Sequence, residues 1–304
     1  MGQAKNKTKV LITGVSGLLG NSLARAWKDT CEILGIYCEH PWHLPGIETR
    51  KLDLLQESAV RKAIAEFQPQ VLVHTAALTN VDVCEEQPQK AFDANVRVTQ
   101  ILVGAIGALP ARLVHLSTDL VFDGAKGRYK ENDPVAPLNV YARTKLEAEG
   151  AALKNSRALV ARTNIFGWNV QNKRSLAEWV IDELSHKRRI KGFTDAVFSS
   201  IYTMDLADLL RAAWERELTG VYHVASSTAM NKYDFACRVA DLFGLDKSLI
   251  EPSRVGDFAF KAKRAKDLSL DTSKLARALG RPVPTMEESL QRFRKDAEQR
   301  LRAG

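Results

Sequence analysis

The sequence lacks the features of several protein classes. Its four cysteines include no C-x-x-C pair and have no histidine cluster near them, so we expect neither disulfides nor a zinc site, and no bound metal. It has no run of 18 apolar residues that would suggest a membrane-spanning helix. The first nine residues are polar and basic, unlike a signal peptide. We therefore expect a cytoplasmic protein with no membrane partner.

The chain also lacks the patterning of a nucleic-acid-binding protein. Its net charge is +8, but the basic residues are spread along the chain and no aromatic residues alternate with them as a base-stacking platform requires. We expect a solvated surface and no nucleic-acid partner, or attraction of an anionic small molecule such as a diphosphate. At 304 residues and 45% hydrophobic, the chain is long enough for one large domain or a domain with a smaller companion.

A glycine-rich loop near the N-terminus indicates nucleotide binding. The apolar run Lys9 to Thr13 predicts a buried strand, and a segment with helical spacing starts near Asn21. Glycines at 14, 17 and 20 lie between them, where they permit a tight turn, close approach of a pyrophosphate, and close packing of helix on strand. The residues expected at the nucleotide are Gly14, Ser16, Gly17, Leu18, Leu19 and Gly20.

Strands and helices alternate through the first half of the chain. This alternation predicts an α/β fold, a Rossmann-type doubly wound parallel sheet, with a smaller C-terminal substrate-binding lobe. The nucleotide-binding domain is predicted at 1–165, with later segments around 194–224 returning to it, and residues 166–304 form mainly the lobe. The predicted strands are 33–37, 70–74, 111–116 and 158–163, each an apolar run too short for a helix.

A second stretch, from Ser117 to Lys145, suggests a proton donor. Ser117 and Thr118 end a predicted strand, and Tyr141 and Lys145 lie one turn apart on the same face of a predicted helix. An ammonium beside a phenol favours the phenolate, so we expect Lys145 to lower the pKa of Tyr141. By itself the pair also fits a half-buried tyrosine with an exposed lysine, and the glycine loop favours catalysis.

The cofactor type is left open by the second predicted strand. Tyr37 stands where an acid selecting NAD would usually lie, Glu39 follows, and no arginine comes directly after to bind a 2′-phosphate. The cofactor is therefore NADP or NAD, with NADPH slightly favoured.

Asp53 is a candidate N-cap of the helix that follows it. Asn95, inside a helix predicted from Pro88 to Gly107, is either exposed or a buried tether.

Longer runs resemble the extended short-chain dehydrogenase/reductases, most of all the branch of the dTDP-4-dehydrorhamnose reductases. Residues 117–124 read S-T-D-L-V-F-D-G and residues 137–145 read P-L-N-V-Y-A-R-T-K, two runs specific to this branch. Residues 14–20, 74–82 and 268–275 match as well, so the resemblance spans nearly the whole chain.

The resemblance implies reduction of the 4-keto group of a nucleotide-linked deoxysugar by a nicotinamide cofactor. It implies that Tyr141 protonates the oxygen of the keto group and that Thr118 binds the same oxygen. It also implies that Lys145 lowers the pKa of Tyr141 and holds the nicotinamide ribose. Whether the protein forms a homodimer is left open by the sequence. Further cofactor contacts are implied for Asp53, Leu54, Thr75, Ala76, Ala77, Asn95 and Ser117, and substrate contacts for Thr79, Asp82, Val121, Phe122 and Arg264.

Three departures from the branch concern substrate identity, and one of them is the loop between Thr118 and Tyr141, which is about one residue shorter than in close members. Ile165 stands where the branch commonly has a tryptophan, and Arg264 is followed by Ala265 instead of proline. Two alternative functions also stay open. One is an epimerase or dehydratase, although Asp119 with Leu120 supplies only half of the acid–base pair that a dehydratase needs. The other is a non-catalytic regulatory subunit, because the β-subunit of methionine adenosyltransferase resembles the same branch.

Overall fold

A seven-stranded parallel sheet forms the centre of the molecule. The computed structural model describes residues 7–171 and 173–303, with side chains up to residue 299. The strands lie in the order β3-β2-β1-β4-β5-β6-β11 and every neighbouring pair is parallel. They span Thr8–Thr13 (β1), Cys31–Tyr37 (β2), Glu48–Lys51 (β3), Val71–His74 (β4), Arg112–Thr118 (β5), Ala158–Thr163 (β6) and Gly220–His223 (β11). The predicted Rossmann-type sheet is therefore confirmed.

Eleven helices are described around this sheet and beyond it. The first six span Leu18–Trp27 (α1), Glu57–Phe67 (α2), Val81–Glu86 (α3), Pro88–Phe92 (α4), Val98–Ile106 (α5) and Val140–Ala152 (α6). The other five span Leu176–Ser185 (α7), Thr203–Glu215 (α8), Lys232–Phe243 (α9), Ser273–Leu279 (α10) and Met286–Ala303 (α11). None of the described helices is long and apolar enough to cross a membrane.

The sheet is covered on both faces, which explains why its strands are continuous apolar runs. In β1, Leu11 packs with the helices α2 and α5, whereas Val10 and Ile12 face the opposite layer with α1 and α8. These three side chains are at most 2% exposed. Each strand therefore joins two hydrophobic layers, and the apolar sequence runs are the direct consequence.

Smaller sheets and a second core lie in the later part of the chain. The short strands are Ile165–Phe166 (β7), Ile190–Phe193 (β8), Val197–Phe198 (β9), Ile201–Tyr202 (β10), Met230–Asn231 (β12), Ile250–Ser253 (β13) and Asp267–Leu268 (β14). They pair as β10-β7, β12-β9-β14 and β13-β8. Phe166, Tyr202, Phe235 and Phe293 form the aromatic centre of this second core. Trp168 stacks on Phe293 with ring centroids 4.2 Å apart, so this tryptophan is part of that core.

The strand order places a crevice beside β1. From β1 the chain continues to β2 and β3 on one side, then returns to β4, β5 and β6 on the other. At such a reversal the loops leaving the two central strands diverge, and the crevice between them is where doubly wound sheets bind ligands. Here the loops are those that follow Thr13 and His74.

Candidate active site

A glycine cradle lies at the end of β1. Gly14 has φ +69°, and a Cβ atom added there would lie 2.9 Å from the backbone of Ala76. A Cβ on Gly20 would lie 2.2 Å from the carbonyl oxygen of Gly14. Helix α1 then begins at Leu18 without a side-chain cap on its first amides. The loop therefore offers close backbone approach and free N–H groups, which suit a diphosphate.

A cavity of about 760 Å³ extends from this cradle to the ends of β2 and β5. Most of the residues predicted for the cofactor lie on its wall. They are Gly14, Ser16, Gly17, Leu18, Leu19, Leu54, Thr75, Ala76, Ala77, Ser117, Tyr141 and Lys145. Thr118 and Thr79 lie on the wall too. The structure thus brings together residues that are more than 120 positions apart in the chain.

Thr118, Tyr141 and Lys145 lie together at one end of the cavity. Asn139 caps α6 by accepting a hydrogen bond from the backbone of Ala142, which fixes the helix start beside the end of β5. The Thr118 hydroxyl donates to Asp119 Oδ1 at 3.0 Å and lies close enough to the Tyr141 phenol to lower its pKa. Lys145 donates a 2.6 Å hydrogen bond from Nζ to the carbonyl oxygen of Leu116. A hydroxyl, a phenol and an ammonium therefore converge on one wall.

The pKa of Tyr141 moves in the direction opposite to the sequence-based prediction. Burial raises it, and the carboxyl of Asp119 raises it further, whereas the Thr118 hydroxyl lowers it. Lys145 is itself desolvated, and its pKa falls to about 8 because burial outweighs the nearby carboxylate of Glu149. The prediction that Lys145 lowers the pKa of Tyr141 is wrong for this structure, in which the phenol is held firmly protonated.

Asp119 lies on the cavity wall, although the sequence analysis assigned it no role in ketone reduction. Its carboxyl is 1% exposed, accepts hydrogen bonds from Asn164 Nδ2 at 2.9 Å and from Thr118 Oγ1 at 3.0 Å, and lies on the cavity wall. Burial raises its pKa to about 6, although these two hydrogen bonds oppose the rise. The sequence signal that could have identified Asp119 as a site residue is its position directly after Thr118, at the end of a predicted strand.

Ser117 connects the active site to a buried ion pair. Its hydroxyl donates a 2.5 Å hydrogen bond to Glu149 Oε1, and Arg162 binds both oxygens of the same carboxylate at 2.8 and 2.9 Å. The Glu149 and Arg162 side chains are 3% and 5% exposed. This network joins β5, α6 and β6, and so fixes the helix that carries Tyr141. Although Ser117 lines the cavity, its hydroxyl acts in this structural network.

Asn95 is a buried tether and does not lie on the cavity wall. The helix predicted from 88 to 107 is interrupted by a π-helical turn at Asp93–Arg97. Within it, the Asn95 side chain accepts from the Leu78 amide at 2.8 Å and donates to Thr144 Oγ1 at 2.9 Å. It therefore holds the segment after β4 against α6. The sequence left open whether Asn95 is exposed or a buried tether, and the structure shows the buried tether.

Several residues predicted at the ligands lie away from the cavity wall. Asp53 accepts from the Leu55 amide at 3.0 Å, and the cap position of α2 is Gln56, so Asp53 is not the helix cap. Val121 and Phe122 are fully buried in a core with Tyr129, whose ring stacks on Phe122 at 4.2 Å. Their side chains are therefore core residues, because the turn after Thr118 points them inward.

Gly20, Asp82 and Arg264 complete the set outside the wall. Gly20 packs against the backbone of the glycine loop. Arg264 Nη2 donates to Asp82 Oδ2 at 2.8 Å, and the amide of Ala262 donates to the other carboxylate oxygen. This pair fastens the 261–265 segment to α3, beside the cavity. Within the described part of the chain, no three His, Cys, Asp or Glu side chains group as metal ligands.

Two side chains between β7 and α7, those of Gln171 and Lys173, reach the glycine cradle and the segment after β4, and no sequence motif indicated these contacts. Gln171 Nε2 donates to the carbonyl oxygen of Ser16 at 2.7 Å, and Lys173 Nζ donates to Thr79 Oγ1 at 2.6 Å. Ser175 ends the loop by capping α7 in a reciprocal capping box with Glu178. The second part of the chain thereby contributes directly to the cavity wall.

Fold and site together define a Rossmann-type protein of the extended short-chain dehydrogenase/reductase kind. The model of the RmlD substrate binding domain family matches residues 8–299. The chain therefore belongs to the RmlD substrate binding domain family.

The proteins to which the chain is similar include a methionine adenosyltransferase subunit and dTDP-4-dehydrorhamnose reductases. The chain is 32% identical over 283 residues to methionine adenosyltransferase 2 subunit beta of Pongo abelii, covering 88% of this chain and 81% of the relative. It is 30% identical over 304 residues to dTDP-4-dehydrorhamnose reductase of Aggregatibacter actinomycetemcomitans, covering 95% and 99%. The dTDP-4-dehydrorhamnose reductase of Bacillus anthracis, solved in complex with NADP, superposes with a TM-score of 0.85 at 25% identity, covering 95% and 99%.

Proposed function

We propose that this protein is an NAD(P)H-dependent reductase of the 4-keto group of a nucleotide-linked deoxysugar. The observation that carries the proposal is the convergence of Thr118, Tyr141 and Lys145 on the same cavity as the glycine cradle. A proton donor and a dinucleotide cradle within one cavity are the two requirements for reducing a carbonyl. The similarity to dTDP-4-dehydrorhamnose reductases supports this substrate class.

The cavity fits a nicotinamide dinucleotide. Gly14 and Gly17 let the loop pack closely, because a Cβ atom on either would meet backbone atoms at 2.9 and 3.2 Å, and the uncapped start of α1 supplies amides for the charge of a diphosphate. Leu54 and the residues at the end of β2 form the adenosine end, and Lys145 lies at the other end beside Tyr141. The bound reduced nicotinamide would supply a hydride to the substrate carbonyl. The complex of the Bacillus anthracis relative with NADP supports this cofactor class.

Residues of the chain donate the proton and bind the oxygen that receives it. Tyr141 Oη donates it to the carbonyl oxygen as negative charge develops there, and Thr118 Oγ1 supplies a second hydrogen bond to the same oxygen. The phenol is protonated at neutral pH, as a proton donor must be, although burial and Asp119 raise its pKa and so make it a weaker acid. Lys145, held by the carbonyl of Leu116, lies on the same wall, where its ammonium would hold the ribose of the nicotinamide.

The nucleotide-sugar would enter from the side of the later segments. We propose that residues 166–304 form mainly a substrate-binding lobe, and that the Asp82–Arg264 pair and Thr79 mark its boundary with the nucleotide-binding domain. Arg264 places its guanidinium 5.0 Å from the centroid of the Phe260 ring. A cation and an aromatic face side by side suit a nucleoside diphosphate.

The direct test is to mix the protein with NADH or NADPH and dTDP-4-dehydrorhamnose and to follow the absorbance of the reduced nicotinamide. Turnover supports the proposal. Absence of turnover over a panel of nucleotide 4-ketosugars, with either cofactor bound, would exclude it.

A regulatory function is the second candidate, because the methionine adenosyltransferase subunits match 88% of the chain at 32% identity. In this case the protein would bind a methionine adenosyltransferase catalytic subunit without reducing a sugar. Size-exclusion chromatography of the mixed proteins, together with the kinetics of the adenosyltransferase, would distinguish the two. A stable complex with altered kinetics and no ketosugar turnover would establish the regulatory role.

A further inference from the structure

Thr118 has one hydroxyl proton, and the neighbours of the hydroxyl determine where that proton points. Thr118 Oγ1 donates to Asp119 Oδ1 at 3.0 Å and accepts from the backbone amide of Leu120 at 3.2 Å. A threonine hydroxyl offers one donor and two acceptor lone pairs. In this arrangement a single lone pair is left over, so Thr118 can meet a ligand in the cavity only as an acceptor.

The two carboxyl oxygens of Asp119 have different partners. Oδ2 accepts from Asn164 Nδ2 at 2.9 Å, whereas Oδ1 faces the Thr118 hydroxyl. Because the Asn164 amide is a donor to Oδ2, a proton taken up by the carboxyl belongs on Oδ1. The protonated carboxyl then donates to the remaining lone pair of Thr118 Oγ1. The Thr118 proton is thereby released from Asp119 and can point into the cavity.

The carboxyl of Asp119 is placed to change its protonation near neutral pH. Asp119 is 1% exposed, and burial raises its pKa to about 6 against the hydrogen bonds from Asn164 and Thr118. Two titratable groups face it from other elements. Lys232, at the start of α9, favours the ionised carboxyl, which in turn raises the pKa of Tyr141 on α6. The ionised form therefore holds the Thr118 proton and also makes the phenol a weaker acid.

We propose that the protonation state of Asp119 controls whether Thr118 can donate a hydrogen bond to the substrate carbonyl. The inference rests on the proposed reductase function. When Asp119 is protonated, Thr118 donates to the carbonyl oxygen as negative charge develops there. When Asp119 is ionised, Thr118 donates to the carboxylate, and only its lone pair faces the developing charge. Asp119 is thus a positioning residue for the Thr118 proton, and reduction should slow as the pH rises.

The test compares the pH profiles of kcat for wild type and Asp119→Asn, with saturating reduced cofactor and dTDP-4-dehydrorhamnose. Wild-type kcat should fall by about tenfold or more between about pH 5.5 and pH 7.5, because loss of one donor to the oxyanion costs about 10²-fold. In Asp119→Asn, the amide NH₂ donates to Thr118 while the amide oxygen accepts from Asn164. The fall should therefore be absent in this variant, and its kcat near pH 7.5 should exceed that of wild type.

Two further variants and one spectroscopic measurement isolate the effect. Asp123→Asn removes a carboxyl outside the cavity wall and should keep the wild-type profile. Thr118→Val removes the hydroxyl, so kcat should be low at every pH and most of the fall should disappear. NMR titration of the Asn164 side-chain amide, in the protein without ligands, follows the protonation of Asp119 independently of turnover. Its chemical shift should change with a midpoint near pH 6, which is about the pKa of Asp119.

Several results would overturn the inference. Equal falls in wild type and Asp119→Asn, or loss of activity in Asp119→Asn at every pH, would show that Asp119 does not act through its charge on Thr118. A full fall retained in Thr118→Val would assign the pH effect to Tyr141. An Asn164 amide that does not titrate would exclude an ionisation at Asp119. These results leave the reductase proposal intact, whereas absence of turnover beside a titrating Asn164 amide would refute the reductase and with it the role of Thr118.

Discussion

The amide of Asn164 donates a 2.9 Å hydrogen bond to the carboxyl of Asp119, and this pair places a titratable acid directly beside Tyr141. Because Asn164 follows β6 and Asp119 follows β5, the contact joins two strand ends at the active site. A buried carboxyl there is costly when ionised. The stability of the fold should therefore depend on the protonation of Asp119 and hence on pH.

The first prediction concerns stability and pH. The pKa of Asp119 is raised from 3.8 to about 6 in the folded state, so its contribution is fully present below about pH 4 and is lost as the pH rises through about 6. Asp119→Asn should therefore gain stability relative to wild type by about 2 to 3 kcal/mol between about pH 4 and pH 8. Urea denaturation at several pH values measures this difference.

Asp123→Asn is the control for that series. The pKa of Asp123 is lowered, chiefly by a hydrogen bond from Tyr129, so its contribution is present above the unfolded pKa and is lost as the pH falls. This variant should lose stability relative to wild type as the pH rises, the opposite sign. A flat difference for Asp119→Asn across the range would contradict the placement of a raised pKa at Asp119.

The second prediction concerns the glycine cradle. Gly14→Ala combines an unfavourable φ of +69° with a 2.9 Å approach to the Ala76 backbone, whereas Gly46→Ala has φ +86° and nothing within 4 Å. Both should lose about 1 kcal/mol of stability from the left-handed backbone. Only Gly14→Ala should also weaken nucleotide binding, by about tenfold or more, because the cradle must shift. Calorimetric titration that finds the two variants equal would argue against the cradle.

The third prediction concerns the ion pair below the active site. Glu149→Gln leaves the Arg162 guanidinium buried and unpaired, which should cost about 3 kcal/mol or more. Glu217→Gln removes the partner of Arg112, and since the Glu217 side chain is 77% exposed, the loss should stay below about 1 kcal/mol. Chemical denaturation of both variants provides the comparison. Similar losses would mean that Glu149 and Arg162 are not a buried pair.

The sequence predicted the central sheet well because its physical cause is local. A strand covered on both faces must be a short apolar run, and residues 70–74 and 111–116 show this directly. The glycine loop was predicted equally well, because a Cβ atom added to Gly14 or Gly20 would lie too close to backbone atoms for any side chain to fit. These features follow from sterics and burial within short segments.

The rest depends on contacts between distant segments. Gln171 and Lys173 reach Ser16 and Thr79 across about a hundred positions or more, and nothing in their own loop indicates these partners. The π-helical turn Asp93–Arg97 contains Asn95, whose side chain binds the backbone of Leu78, a partner in a separate segment of the chain. The pKa of Tyr141 was predicted in the wrong direction because spacing shows that Lys145 is near but does not show how deeply both are buried.

The central claim is that Tyr141 donates the proton to a ketosugar, and Tyr141→Phe tests it most directly. With saturating reduced cofactor and dTDP-4-dehydrorhamnose, the account predicts that kcat falls by about 10²-fold or more while the Kd of the cofactor stays near that of wild type. Tyr233→Phe, which removes a phenol on α9 away from the cavity wall, should keep wild-type kcat. Undiminished kcat in Tyr141→Phe would contradict the mechanism.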